Sequence, residues 1–254
     1  MIPARYAHRD EQLRRHTHGE NLRIYDLCGV DSARAAGLNP DQGYLYPQVH
    51  EVYQHPPFIA PPHFHEIDQF QVVIGGSGFL GRLPVRPVTI HYVNAFTPYG
   101  PIVPGPEGIS YMTLRNGVDF AGAHIMPDAR TKLRPVRRRH KLIDQVQIAG
   151  QNYRDCLAGP EHLSMLPTEF DGLSVDIFRL RTGMSLTGSA PHDGGGQHWL
   201  ILDGTLSCER QTWSSFSCLF VRPDDPPLTV VADADGAEFA ILQYARPRTA
   251  DACA

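Results

Sequence analysis

The stretch Pro61-Pro62-His63-Phe64-His65-Glu66-Ile67-Asp68-Gln69-Phe70-Gln71-Val72-Val73-Ile74-Gly75-Gly76 carries most of what the chain discloses about its fold. Along an extended strand, residues two apart point to the same face, so His63 and His65 project together. Two imidazoles on one face are a natural start for a transition-metal site. Gln69 opens the next run, in which Gln69, Gln71 and Val73 share a face. A turn at residues 66–68 brings Gln69 opposite the two histidines. Gly76-Ser77-Gly78 then marks a turn.

On either side of this stretch, short apolar or alternating runs at 49–53, 70–74, 88–93 and 109–114 are separated by Pro and Gly. Similar runs return at 173–180, 199–202, 205–208, 217–221, 228–231 and 239–244. Strands at this spacing predict a small barrel or sandwich, and 22 prolines with 23 glycines argue against a helical bundle. Residues 1–28 read as a charged N-terminal arm with an edge strand at 24–27, and 29–116 as a first β domain. Residues 117–170 read as a linker with a helical stretch at 140–152, and 171–248 as a second β domain. A weak internal repeat supports duplication: Gln69 to Gly76 and Gln197 to Gly204 are both separations of seven.

The 254 residues suffice for two domains of about 100 residues each. With 42% hydrophobic and 20% charged residues and a net charge of −4, the composition is that of an ordinary globular protein. It gives no sign of a nucleic-acid or anionic-membrane partner. The polar N-terminus lacks a secretory core and no long apolar run follows, so a cytoplasmic location is expected. Five scattered cysteines, Cys28, Cys156, Cys208, Cys218 and Cys253, show no CxxC spacing and read as free thiols. His16 and His18 form a second HxH, without a strand signal, and read as surface histidines. The basic run at 130–141, with Arg134, Arg137, Arg138, Arg139 and Lys141, is read as a solvated face, or else as an anion site. Nucleotide-loop, serine-hydrolase and zincin motifs are absent from the sequence.

His63, His65, the Gln69 position and Gly76 resemble the first motif of the cupin superfamily, HxH, three or four residues, Glu, six residues, Gly. With the duplicated β pattern, the resemblance covers roughly residues 40–116 and 170–246. It implies an all-β bicupin: two tandem double-stranded β-helix, jelly-roll-like barrels. It also implies one divalent transition metal, Fe, Mn, Zn or Ni, in the first barrel, and a homodimer. Gln69 departs from the family's Glu and supplies a neutral oxygen, a weaker hold on a cation. The family's second motif, PxGxxH, reads Pro98-Tyr99-Gly100-Pro101-Ile102-Val103, with Val103 in the histidine's place. His91 is the candidate replacement ligand, and His55 a poorer one. In the second barrel Gln197 stands at the Glu position and Pro191 and Asp193 at the histidine positions, with His192 nearby. A metal is not expected there.

The expected function is that of a metal-dependent enzyme on a small organic substrate. The metal ligands would be His63, His65, Gln69 and His91. Glu66, Asp68, Tyr99 and Tyr111 are candidate acids or bases. The chemistry is either that of an O₂-using dioxygenase or that of a non-oxidative lyase, isomerase or cyclase. The alternative is a non-catalytic bicupin that binds or senses a small molecule.

Overall fold

The computed structural model describes residues 5–7, 14–17, 20–35, 37, 39, 46–144, 146–208 and 211–247. His18, Cys253 and residues 248–254 lie outside them, as does the side chain of His16. The chain divides into two compact units, one of residues 9–147 and one of residues 148–254 together with 1–8. Each is built on one eight-stranded antiparallel sheet.

Strand β1 (Arg5–Ala7) belongs to the second unit, although it comes first in the chain. The first unit runs through β2 (Arg14–Thr17), β3 (Leu22–Cys28), a short helix α1 (Val30–Ala35), β4 (Gln48–Gln54), β5 (His63–Phe64), β6 (Gln69–Leu80), β7 (Leu83–Val85), β8 (Ile90–Val93), β9 (Ile102–Arg115), β10 (His124–Ile125) and β11 (His140–Ile143). Its sheet order is β11-β8-β6-β9-β4-β3-β2, with β7 on β6, while β5 and β10 form a separate ribbon. The second unit holds a short helix α2 (Gln151–Asp155), β12 (Glu161–Leu166), β13 (Ser174–Leu180), β14 (Ser185–Thr187), β15 (Gln197–Cys208), β16 (Gln211–Ser214), β17 (Cys218–Val221) and β18 (Thr229–Gln243). Its order is β1-β17-β15-β18-β13-β12, with β14 on β18 and β16 on β15.

Period-two alternation puts one set of side chains inside each unit. Val52, Val73, Val85, Ile102, Ile109 and Tyr111 pack together in the first. Leu180, Trp199, Ile201, Leu206, Phe239 and Ile241 do so in the second. Each such side chain contributes about 1.5–3 kcal/mol on leaving water.

The repeat seen in the sequence is a structural one. Gly76 and Gly204 have φ of +66° and +80°, and a Cβ on them would lie 2.2 Å from Gly108 O and 2.1 Å from Gly236 O. Both occupy equivalent close approaches between the long strands, β6 against β9 and β15 against β18. At the other end of these pairs Gln69 stands opposite Arg115, and Gln197 opposite Gln243.

Three boundaries differ from the sequence reading. Residues 22–28 are an interior strand of the first sheet, paired to β2 and β4, rather than part of an arm. Residues 140–143 are also strand, because they complete the edge beside β8, and the helix is confined to Gln151–Asp155. The expected linker is therefore divided between the two units: β10 and β11 belong to the first, and α2 and β12 to the second.

Candidate functional site

Three backbone bonds bring the two halves of the motif together. His63 N donates to Tyr99 O at 3.0 Å and Tyr99 N to His63 O at 2.9 Å. Phe96 N donates to His65 O at 2.7 Å. The His63 ring therefore lies 4.4 Å from that of Tyr99 and 5.2 Å from that of His65. Gln69 opens β6 and donates through Nε2 to the Tyr99 hydroxyl at 2.7 Å. His63, His65, Gln69 and Tyr99 are thus brought together.

A residue missed in the sequence reading lies at their centre. Arg115, at the end of β9, is 4% exposed. Its Nε donates to Gln69 Oε1 at 3.0 Å, one terminal nitrogen to Gln48 Oε1 at 2.7 Å and the other to His65 Nε2 at 3.1 Å. Asp119 lies 3.6 Å from the guanidinium and accepts from His65 Nδ1 at 2.5 Å. Ladder register explains the placement, since Arg115 stands opposite Gln48 on one side and Gln69 on the other. Burial, then the charge of Arg115, holds His65 down at about 3 against the opposing pull of Asp119. The imidazole is therefore neutral at pH 7, and its bond to Asp119 is a charge-assisted hydrogen bond, not an ion pair. Burial pushes the Asp119 carboxyl up, but the His65 bond and the charge of Arg115 outweigh it and leave it below the ordinary carboxylate range.

His63 differs from its neighbours. Its Nδ1 lies 2.7 Å from the Pro61 carbonyl, which only accepts, so Nδ1 carries the proton and Nε2 a lone pair. Burial lowers its pKa and the charge of Arg115 adds to this, against the Pro61 bond. Nε2 has no hydrogen-bond partner among the described residues. His63 and His65 retain 8% and 9% exposure, against 0% for Gln69. Burial raises the Tyr99 hydroxyl to about 12, which keeps it protonated.

The other candidates serve different ends. The His91 ring lies 5.5 Å from that of Tyr99, but its nitrogens meet other groups, Nδ1 at 3.0 Å from Gln71 Oε1 and Nε2 at 3.3 Å from His140 Nδ1. Tyr111 lines an interior pocket of about 20 Å³ with Gln71 and His91. Glu66 is exposed and bonds His124 at 2.8 Å. Asp68 accepts from the Tyr92 hydroxyl and from Ala95 N, tying down the loop after β8. Val103 lies opposite Phe79 in the ladder.

The ligand set expected for a metal is not assembled. His91 donates through Nδ1 to Gln71 Oε1 and its Nε2 faces His140, while a guanidinium takes the lone pair of His65 Nε2 and one of the two on Gln69 Oε1. Two unit charges about 4 Å apart repel by about 4 kcal/mol at an effective dielectric constant of about 20. A divalent ion on those atoms would meet at least that from Arg115. Among the described residues no group of three or more His, Cys, Asp or Glu is placed to hold a metal. The residues present do not fit the ion that the resemblance implies.

In the second unit Gln197 donates to Gln243 Oε1 at 2.7 Å and to Ser189, and accepts from Trp199 Nε1 at 3.0 Å. Trp199 is fully buried, stacks on Phe239 and fills the position that Gln71 holds in the first unit. His192 and Asp193 are exposed, and His198 bonds the Tyr244 hydroxyl.

No family model and no curated protein matches the sequence. Solved structures do match over nearly the whole chain. The bacterial pirin YhhW of Escherichia coli, in complex with nickel(II), is 12% identical with a TM-score of 0.55, covering 94% of this chain and 98% of that one. Oxalate decarboxylase of Bacillus subtilis is 10% identical with a TM-score of 0.58, covering 92% and 75%. The 7S globulin of Momordica charantia is 10% identical with a TM-score of 0.56, covering 96% and 84%. At these identities the likeness is one of fold, and with two tandem antiparallel units carrying an equivalent Gln and Gly in each, the chain has the bicupin fold.

Proposed function

We propose that the first barrel receives a small organic molecule at its His63–Tyr99 edge and acts on it by proton transfer, the non-oxidative branch of the expected chemistry. The observation that carries this reading is the unpartnered lone pair of His63 Nε2, on a neutral imidazole beside the protonated Tyr99 hydroxyl. Such a pair suits abstraction of a proton next to a carbonyl. His63 Nε2 takes the proton from carbon and Tyr99 O–H bonds the carbonyl oxygen as negative charge builds there. Return of the proton to another carbon gives an isomerase, and loss of a leaving group gives a lyase. The fold leaves the activity open, since its relatives include a nickel-bound pirin, oxalate decarboxylase and a 7S globulin.

The test is deuterium exchange at carbon in D₂O, followed by NMR, with pyruvate, oxaloacetate and 2-oxoglutarate as probes. Enzyme-dependent exchange lost in His63→Ala and weakened in Tyr99→Phe is the expected result. Thermal stabilisation by a probe without exchange would favour the second reading, a binding barrel, which the hydrogen-bonded Arg115 cluster also suits. Neither exchange nor stabilisation by any probe would overturn the proposal for this substrate class.

A further inference from the structure

We infer that Arg115 is a built-in cation that stands where a metal would bridge His65 and Gln69, so that the first barrel excludes metal by occupancy and not by loss of its histidines. The inference concerns what holds the cluster and is independent of whether His63 turns over a substrate.

Three observations carry it. The guanidinium meets His65 Nε2 at 3.1 Å and Gln69 Oε1 at 3.0 Å, the two lone pairs that an HxH followed by Gln would offer an ion. Asp119 on His65 Nδ1 is the kind of outer partner that fixes a metal-bound imidazole with Nε2 inward, and here it also balances the charge of Arg115. The duplicated unit supplies the comparison. Gln243, at the register position equivalent to Arg115, is hydrogen-bonded to Gln197, the counterpart of Gln69, at 2.7 Å. The same strand end thus reaches the same partner in both units, and only the first carries a positive charge there. Without the guanidinium, His65 Nε2 and Gln69 Oε1 are freed, and His63, its ring 5.2 Å from that of His65 and its Nε2 unpartnered, is the third donor we infer for the same ion.

The inference predicts that a metal site can be uncovered by substitution. The probe is cobalt(II) added to the full chain, read by visible absorption and by paramagnetic broadening of the His63 and His65 side-chain resonances. The variant is Arg115→Met/Asp119→Asn/Gln69→Glu. It removes both charges of the buried pair together, keeps an acceptor for His65 Nδ1 and restores a carboxylate ligand. The expected result is no broadening in the unsubstituted chain at equimolar cobalt, and uptake of about one equivalent by the variant. That uptake is lost again on adding His63→Ala. Stoichiometric cobalt on His63 and His65 of the unsubstituted chain would overturn the inference, as would a cooperatively folded variant that binds none. Where the variant does not fold, the unsubstituted chain decides alone: broadening at His63 and His65 refutes the inference. An undisturbed spectrum, with His65 Nε2 showing the nitrogen shift of a hydrogen-bond acceptor, supports it.

Discussion

At His65 and His91 burial strips water from the imidazoles; the charge of Arg115 adds to this at His65, outweighing the pull of Asp119, and His140 adds to it at His91, so both fall from 6.5 to about 3. Between those two values the unfolded chain binds protons that the folded chain refuses. Stability contributed by these groups is therefore complete above about pH 6.5 and is lost as pH falls towards 3. We expect the urea midpoint to fall steadily from pH 6.5 to 4, with a shallower slope in His91→Gln. A midpoint independent of pH across that range would mean that these imidazoles are not held neutral. The histidine pair and Gln69 were legible in the sequence because two-residue spacing and a nearby glycine turn are local signals. Arg115 was not, because its role depends on the register of β9 against β4 and β6, from residues distant in sequence. A lone arginine at a strand end reads as a solvent-facing charge.

The pairing of β6 with β9, and of β15 with β18, depends on a glycine at the same point in each long strand. Alanine at Gly76 or Gly204 would have to adopt a positive φ and would press its methyl group into a backbone carbonyl. The backbone conformation alone costs more than about 1 kcal/mol, and the clash adds to it because a carbonyl in a ladder has nowhere to move. We expect Gly76→Ala and Gly204→Ala each to lower thermal stability clearly, whereas Gly159→Ala, with no heavy atom within 4 Å of the added methyl group and no positive φ, should change it little. Equal effects at all three positions would contradict this account of the repeat. Strand positions could be read from the sequence, but the runs at 199–202 and 205–208 form one strand, β15, because Gly204 bends it without ending it. Residues 140–143 looked helical, since Lys and Leu favour helix locally and only the open edge of β8 makes them strand.

At the scale of the molecule, the two units are not consecutive lengths of chain. Arg5–Ala7 pairs with Cys218–Val221 on the edge of the second sheet, whereas Arg14–Thr17 already belongs to the first. Removing residues 1–8 therefore takes a strand from the unit that is farther away in sequence and leaves β17 as an open edge. We expect hydrogen exchange in that deletion to quicken at Cys218–Val221 while β3 and β4 stay protected. Faster exchange confined to the first unit would show that β1 belongs to the first sheet instead. The same arrangement bears on synthesis at the ribosome. Arg5–Ala7 precedes the first unit and must be kept in hand until Cys218–Val221 is made, so the second unit closes only with a strand supplied from the far side of the first. A cut between residues 147 and 148 would likewise fail to give two self-sufficient halves, and a chain rejoined with β1 placed after β18 is the permutation in which each half would carry all its own strands.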